Sequence, residues 1–149
     1  MADSGTLYDQ LILDHIKNAR NYRVIDAADR RAEGVNPLCG DSFNCYLKLD
    51  GEVIREVSFQ CSCCGISMAS ASVMTEEVTG KTMQQARELY QQFIGLVFGQ
   101  DETAEATDLK EAAVLFAVRQ FPSRRNCAAL AWHTLAAALD GRASTTVGG

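Results

Sequence analysis

SFNCYLKLDGEVIREVSFQ, residues 42–60, decides the fold. Apolar side chains fall on alternate positions on both sides of Asp50-Gly51. Phe43, Cys45, Leu47 and Leu49 share one face of the first run, and Val53, Val57 and Phe59 share one face of the second. A period of two belongs to a half-buried strand, and Asp-Gly between two such runs marks a hairpin. A two-residue loop would set odd positions against even ones and turn one face over. A three-residue loop, Asp50 to Glu52, keeps both odd faces on the core side, with Gly51 free to adopt positive φ. That register pairs Phe43 with Phe59 and, carried outward, brings Cys39 near Cys63 and Cys64.

Outward from the hairpin the pattern is helical. TLYDQLILDHIKNAR (6–20) places Tyr8, Leu11, Ile12, His15 and Ile16 on one face, and Thr6 with Asp9 resembles a capping box. Residues 19–36 are polar, with room for one short strand, and NPLCGD (36–41) is loop chemistry. Small residues dominate the helix from Gly65 to Gly80. Residues 82–98 carry Met83, Ala86, Tyr90, Phe93 and Val97 at helical spacing. After the acidic stretch GQDETAEAT, a helix is expected over 108–121 and a last one from Pro122 and Ser123. The expected fold is therefore α+β: a small antiparallel sheet packed with several helices in a single compact domain over residues 1–140, with 141–149 a disordered tail.

The chain has 149 residues and a net charge of −5. That acidity argues against nucleic acid as a partner. Neither a secretory leader nor a span long enough for a bilayer is visible, so the expected place is the cytoplasm, where thiols stay reduced. Six cysteines in such a chain point to metal or sulfur chemistry.

Strand alternation sorts these cysteines. Cys45, and Cys61 in continuation of the Val57–Phe59 face, read as small buried hydrophobes. Cys39 sits in a Pro/Gly loop, Cys64 between strand end and helix start, and Cys127 in the first turn of the last helix. A helix N-terminus favours thiolate over thiol, which suits Cys64 and Cys127 as ligands. With Asp41 they make a three-sulfur, one-oxygen set suited to zinc or to one edge of an iron–sulfur cluster. The competing set is a closed four-cysteine structural zinc module using the C-x-x-C pair Cys61 and Cys64 with Cys39 and Cys127. The role of Cys63 is open.

NPLCGD, CGISMASASVMTEEVTGK (64–81) and RRNCAALAWHTL (124–135), with the opening LYDQLILDHIKNARN (7–21), resemble in order and spacing the iron–sulfur cluster assembly proteins of the IscU/NifU-N-terminal type. The long segment between Lys81 and Cys127 resembles the SufU branch. So do Asn126, where IscU types have histidine, and FPSRR in place of LPPVK. The resemblance implies a metal site of Cys39, Asp41, Cys64 and Cys127, with Cys61 and Cys63 as alternate ligands. Cys39 is the expected persulfide acceptor and Cys127 the runner-up. Arg124 is expected to dock a partner or offset the anionic site. The function implied is that of a zinc-bound sulfur acceptor and carrier served by a cysteine desulfurase and feeding a downstream scaffold or apo-acceptor. The alternative is a scaffold that assembles and transfers a [2Fe–2S] cluster. The chain is then either a sulfurtransferase-like carrier or a non-enzymatic scaffold. Cys61 and Cys63 depart from the family pattern, which has small non-thiol residues at those positions.

Overall fold

The computed structural model describes residues 4–37, 40–98 and 122–146. Its elements are α1 (Ser4–Lys17), β1 (Arg30–Asn36), β2 (Asp41–Asp50), β3 (Val53–Ser62), α2 (Gly65–Val78), α3 (Met83–Phe98), α4 (Pro122–Leu139) and β4 (Ser144–Thr146). The acidic stretch and the helix expected over 108–121 lie outside the described residues.

The strands form one sheet in the order β3-β2-β1-β4. β1, β2 and β3 run antiparallel, and β4 joins β1 in parallel. The expected antiparallel sheet is thus a mixed one, and part of the expected disordered tail is its edge strand. The cause is a helix stop. Gly141, at φ +74°, ends α4, with Gly141 N–H donating to Ala138 O at 3.1 Å and Arg142 N–H to Ala137 O at 2.8 Å. This pair of bonds is a Schellman turn. It turns the chain so that Glu33 N–H can donate to Ala143 O at 2.9 Å, and Glu33, Gly34 and Val35 then pair with 144–146. Arg30 donates to Ala138 O and Leu139 O, and Arg87 to Leu139 O, so two cations meet the negative end of α4.

The β2–β3 hairpin keeps its odd faces together by a different device from the one expected. Asp50 pairs with Val53, so the loop is the two residues Gly51 and Glu52, with Gly51 at φ +61°. The register then slips between Lys48↔Glu56 and Leu49↔Ile54, leaving Arg55 as an extra residue. A bulge of one residue restores the phase that the short loop reverses. It also exchanges two side chains: Ile54 is fully buried, and Val53, expected inside, is 38% exposed. Beyond the bulge Cys45 faces Phe59 and Phe43 faces Cys61, so the expected Phe43–Phe59 pairing is wrong by one step along the face. The two phenyl rings still stack, at 5.3 Å between centroids and 11° between planes.

Helix α4 lies across β1 and β2 with α2 and α3 against it, and α1 covers α2. From Ala128 to Thr134 every residue of α4 except His133 is buried, which suits a helix hydrophobic all round its axis. Trp132 stacks on Phe93 of α3 at 4.6 Å. Gly34 of β1 lets α4 approach closely, since a Cβ there would lie 2.0 Å from Thr134 Oγ1. Helix α1 begins at Ser4, two residues before the expected cap at Thr6. A reciprocal cap occurs instead at α3, where Gln85 N–H donates to Thr82 Oγ1 at 3.1 Å and Thr82 N–H to Gln85 Oε1 at 2.9 Å.

Candidate metal centre

Three elements converge at one end of the sheet. Asp41 is the first residue of β2, Cys64 is the N-cap of α2, and Cys127 lies in α4. Their ligand atoms all lie within 4.8 Å of one another, the one such cluster of cysteine, histidine and carboxylate groups among the described residues. Ligand atoms around a tetrahedral zinc, with bonds of about 2.0–2.3 Å, sit about 3.5 Å apart. Two sulfurs and a carboxylate oxygen are a donor set that zinc accepts, and that an iron–sulfur cluster accepts as well.

Burial grades the site. Asp41 is 9% exposed and Cys127 is 7% exposed, whereas Cys64 is open to solvent. The sulfur of Cys64 accepts the Ser67 N–H at 3.5 Å, as a capping side chain does. Cys127 is in the second turn of α4, because the helix begins at Pro122. The helix-start argument therefore holds for Cys64 and not for Cys127. What brings Cys127 to the site is its carbonyl, bonded across to α2.

Ser67 makes that bond. Its fully buried hydroxyl donates to Cys127 O at 2.9 Å, lies 3.3 Å from Asp41 Oδ2, and is 3.6 Å from the Cys64 sulfur. One hydroxyl thus touches all three candidate ligand residues, and its proton is shared between a carbonyl and a carboxylate. Sequence reasoning counted Ser67 as a small helix residue. The available signal was its place three residues after Cys64, where an N-capping residue's side chain meets a backbone amide. Ser70 Oγ repeats the link to α4, donating to Ala128 O at 2.6 Å.

Cys39 lies outside the described residues. Asn36 pairs with Asp41 as the last step of the β1–β2 ladder, and Gly40, at φ +74°, donates its N–H to Asn36 O at 2.9 Å. For Arg124 only its place in the first turn of α4 is described.

Cys61 and Cys63 are joined as a disulfide, with Cα atoms 5.5 Å apart. Both are half-buried, so Cys61 reaches only the edge of the core it was expected to enter. Bonded to each other, neither sulfur is a free thiolate ligand, and a four-cysteine zinc module drawing on Cys61 has no counterpart in this state. Cys45, by contrast, is fully buried, and burial pushes its thiol up to about 12. The histidines serve packing. His15 Nδ1 is 2.7 Å from Ser72 Oγ, and His133 Nδ1 is 2.7 Å from Tyr90 Oη.

The pattern described as the NifU-like N terminal domain matches residues 7–128. The chain belongs to that family. It is 38% identical over 134 residues to a zinc-dependent sulfurtransferase SufU of Bacillus subtilis, covering 90% of each chain. It is 35% identical over 133 residues to an iron–sulfur cluster assembly scaffold protein IscU of Streptococcus pyogenes, covering 89% of this chain and 82% of that one. A crystal structure from Fervidobacterium islandicum, described as an iron–sulfur cluster assembly scaffold protein for a SUF system, superposes with a TM-score of 0.82 at 33% identity. The match covers 92% of this chain and 99% of that one. The architecture is thus the α+β fold of SufU-like and IscU-like proteins. Among the described residues no helix is long and apolar enough to cross a membrane.

Proposed function

We propose that this protein is an iron–sulfur assembly protein of the SufU kind, which receives sulfane sulfur from a cysteine desulfurase and passes it to a scaffold or apo-acceptor in the cytoplasm. The observation that carries this reading is the convergence of Asp41, Cys64 and Cys127, with ligand atoms within 4.8 Å and only Cys64 open to solvent. The sulfurtransferase relative at 38% identity supports it. Asp41, Cys64 and Cys127 would hold zinc, with Cys39 as fourth ligand; the metal's chemistry is to keep bound sulfur as thiolate.

Cys39 is the acceptor in this reading. Its thiolate attacks the outer sulfur of the desulfurase persulfide, a new S–S bond forms on Cys39, and the desulfurase cysteine leaves as thiolate. Asp41 makes the exchange possible. A carboxylate is a harder ligand than a thiolate and yields its place more readily on a metal that prefers sulfur. Arg124, in the first turn of α4, is the proposed docking cation for the desulfurase. The second reading, a scaffold for a [2Fe–2S] cluster, draws support from the two scaffold relatives and uses the same residues.

Anaerobic purification separates the two. A colourless protein with one zinc, which speeds alanine release by a desulfurase only while Cys39 is present, supports the carrier. Visible iron–sulfur charge-transfer bands in the purified protein support the scaffold. In either case Asp41→Ala is expected to hold its cargo and deliver it to an apo-acceptor more slowly. Delivery at the parental rate would remove Asp41 from the exchange.

A further inference from the structure

The sulfur of a persulfide is at oxidation state zero, and the sulfide of an iron–sulfur cluster is at minus two. Two electrons must enter between them, and one dithiol closing to a disulfide supplies two. The structure holds such a pair in its oxidised state beside the candidate site. Cys61 and Cys63 are bonded to each other, and Cys63 is followed directly by Cys64, the open residue of the metal group.

Three features mark the pair as reactive instead of structural. First, a bridge between residues two apart closes a very short loop and restrains the unfolded chain little, so it is a poor staple. Second, both cysteines are half-exposed, unlike Cys45 in the core, and accessible disulfides are the labile ones. Third, the two halves are held differently. Cys61 is fixed in the ladder opposite Phe43, and its carbonyl accepts the Tyr22 hydroxyl at 3.2 Å. Cys63 lies beyond the last ladder pair, Ser42↔Ser62, in the two-residue link between β3 and α2. One fixed and one freer sulfur, next to the site, is the arrangement a relay needs.

We infer that Cys61 and Cys63 form a redox-active dithiol that reduces the sulfane sulfur handed over by the protein's acceptor cysteine and releases it as sulfide. This rests on the sulfur-handling reading above. In the first step the Cys63 thiolate attacks the outer sulfur of a site persulfide; the site cysteine leaves as thiolate and Cys63 carries the persulfide. In the second, the Cys61 thiolate attacks the inner sulfur of that persulfide, the Cys61–Cys63 bond forms, and hydrosulfide departs. The net change is one persulfide and two thiols to one thiol, one disulfide and hydrogen sulfide, with hydrogens conserved. The sulfane sulfur is reduced and the dithiol oxidised. A dithiol reductant of the thioredoxin class must then reopen the pair.

The test uses the full-length protein with its metal, reduced, freed of reductant under nitrogen, and given one equivalent of glutathione persulfide. Sulfide is assayed directly, and the peptide bearing both cysteines is weighed. The expected result is close to one sulfide per chain, with that peptide losing two hydrogens. Cys61→Ser should take up sulfur, seen as the mass of one added sulfur atom, and release sulfide only at background. Cys61→Ser/Cys63→Ser should release at background and keep the parental metal content, which shows that it is folded. Sulfide release by the double variant at the parental level overturns the inference, as does release by the parent with both cysteines still thiols. If the parent gains a sulfur atom and keeps it, the role of the pair falls while the carrier reading stands. If the parent neither gains sulfur nor releases sulfide, both fall.

Discussion

Cys45 and Cys61 stand on the same face of the same hairpin, one on β2 and one on β3, and their chemistry could hardly differ more. Cys45 is opposite Phe59 in the middle of the ladder, fully buried, its thiol pushed up to about 12. Cys61 is opposite Phe43 one step nearer the open end, half-buried and bonded to Cys63. Both were expected to be core residues. What separates them is distance from the place where the sheet stops and α2 and α4 meet it. Alternation along a strand says which face a residue takes, and not how far the covering helices reach along that face.

The comparison breaks most easily at the metal. Cys64→Ala and Cys127→Ala should each lose bound metal on desalting. The drop in affinity should exceed the roughly 10–100-fold typical of removing a residue that only supports a ligand. Cys45→Val should keep its full complement. Metal loss in Cys45→Val matching that in Cys64→Ala would erase the distinction between the two regions.

A smaller effect sharpens the account of how the site is held. Ser67→Ala removes the hydroxyl that links Cys127 O to the Asp41 carboxylate. Chelator competition should show metal affinity lower by about tenfold, and thermal unfolding a loss of about 1–3 kcal/mol. Ser67→Thr, which keeps the hydroxyl, should recover most of the affinity. An affinity unchanged in Ser67→Ala would limit the hydroxyl to joining α2 and α4.

The smallest effect belongs to Cys45. Cys45→Val is close to a volume-conserving core exchange and should cost under about 1.5 kcal/mol. It should also change how stability depends on pH. The thiol's folded value, about 12, lies above its ordinary 9.0. Stability tied to the neutral thiol is therefore fully present below pH 9 and is lost as pH rises toward 12, because the unfolded chain ionises first. Denaturant midpoints measured above pH 9 should fall less steeply in Cys45→Val than in the parent.

Much of this architecture was legible in the residues. The hairpin and α3 follow from periodicity and α2 from its run of small residues. Of the four residues singled out for the site, Asp41, Cys64 and Cys127 converge, and Cys39 lies outside the described residues. The misses have physical causes. The bulge at Arg55 leaves no mark in the alternation, because a two-residue loop with a bulge and a three-residue loop preserve the same face. β4 looked like a tail because three residues of Ser and Thr carry no hydrophobic pattern; the signal was Gly141 just past a helix end, which turns the chain back toward β1. Ser67 carried only the signal of its place three residues after Cys64, because its contacts to β2 and α4 are distant in sequence. The Cys61–Cys63 bond contradicts the expectation that thiols here stay reduced, an expectation drawn from compartment and not from the spacing of the residues.

The central claim, that Asp41, Cys64 and Cys127 hold one metal together, is tested most directly by X-ray absorption at the zinc edge of the metal-loaded protein. The account predicts sulfur at about 2.3 Å with at least one nitrogen or oxygen neighbour at about 2.0 Å. Cys64→Ser and Cys127→Ser should each remove one sulfur from that shell, and Asp41→Ala should change its light-atom part while leaving the sulfurs in place. A first shell of four sulfurs in the parent, or one that keeps every sulfur in Cys64→Ser, would contradict it.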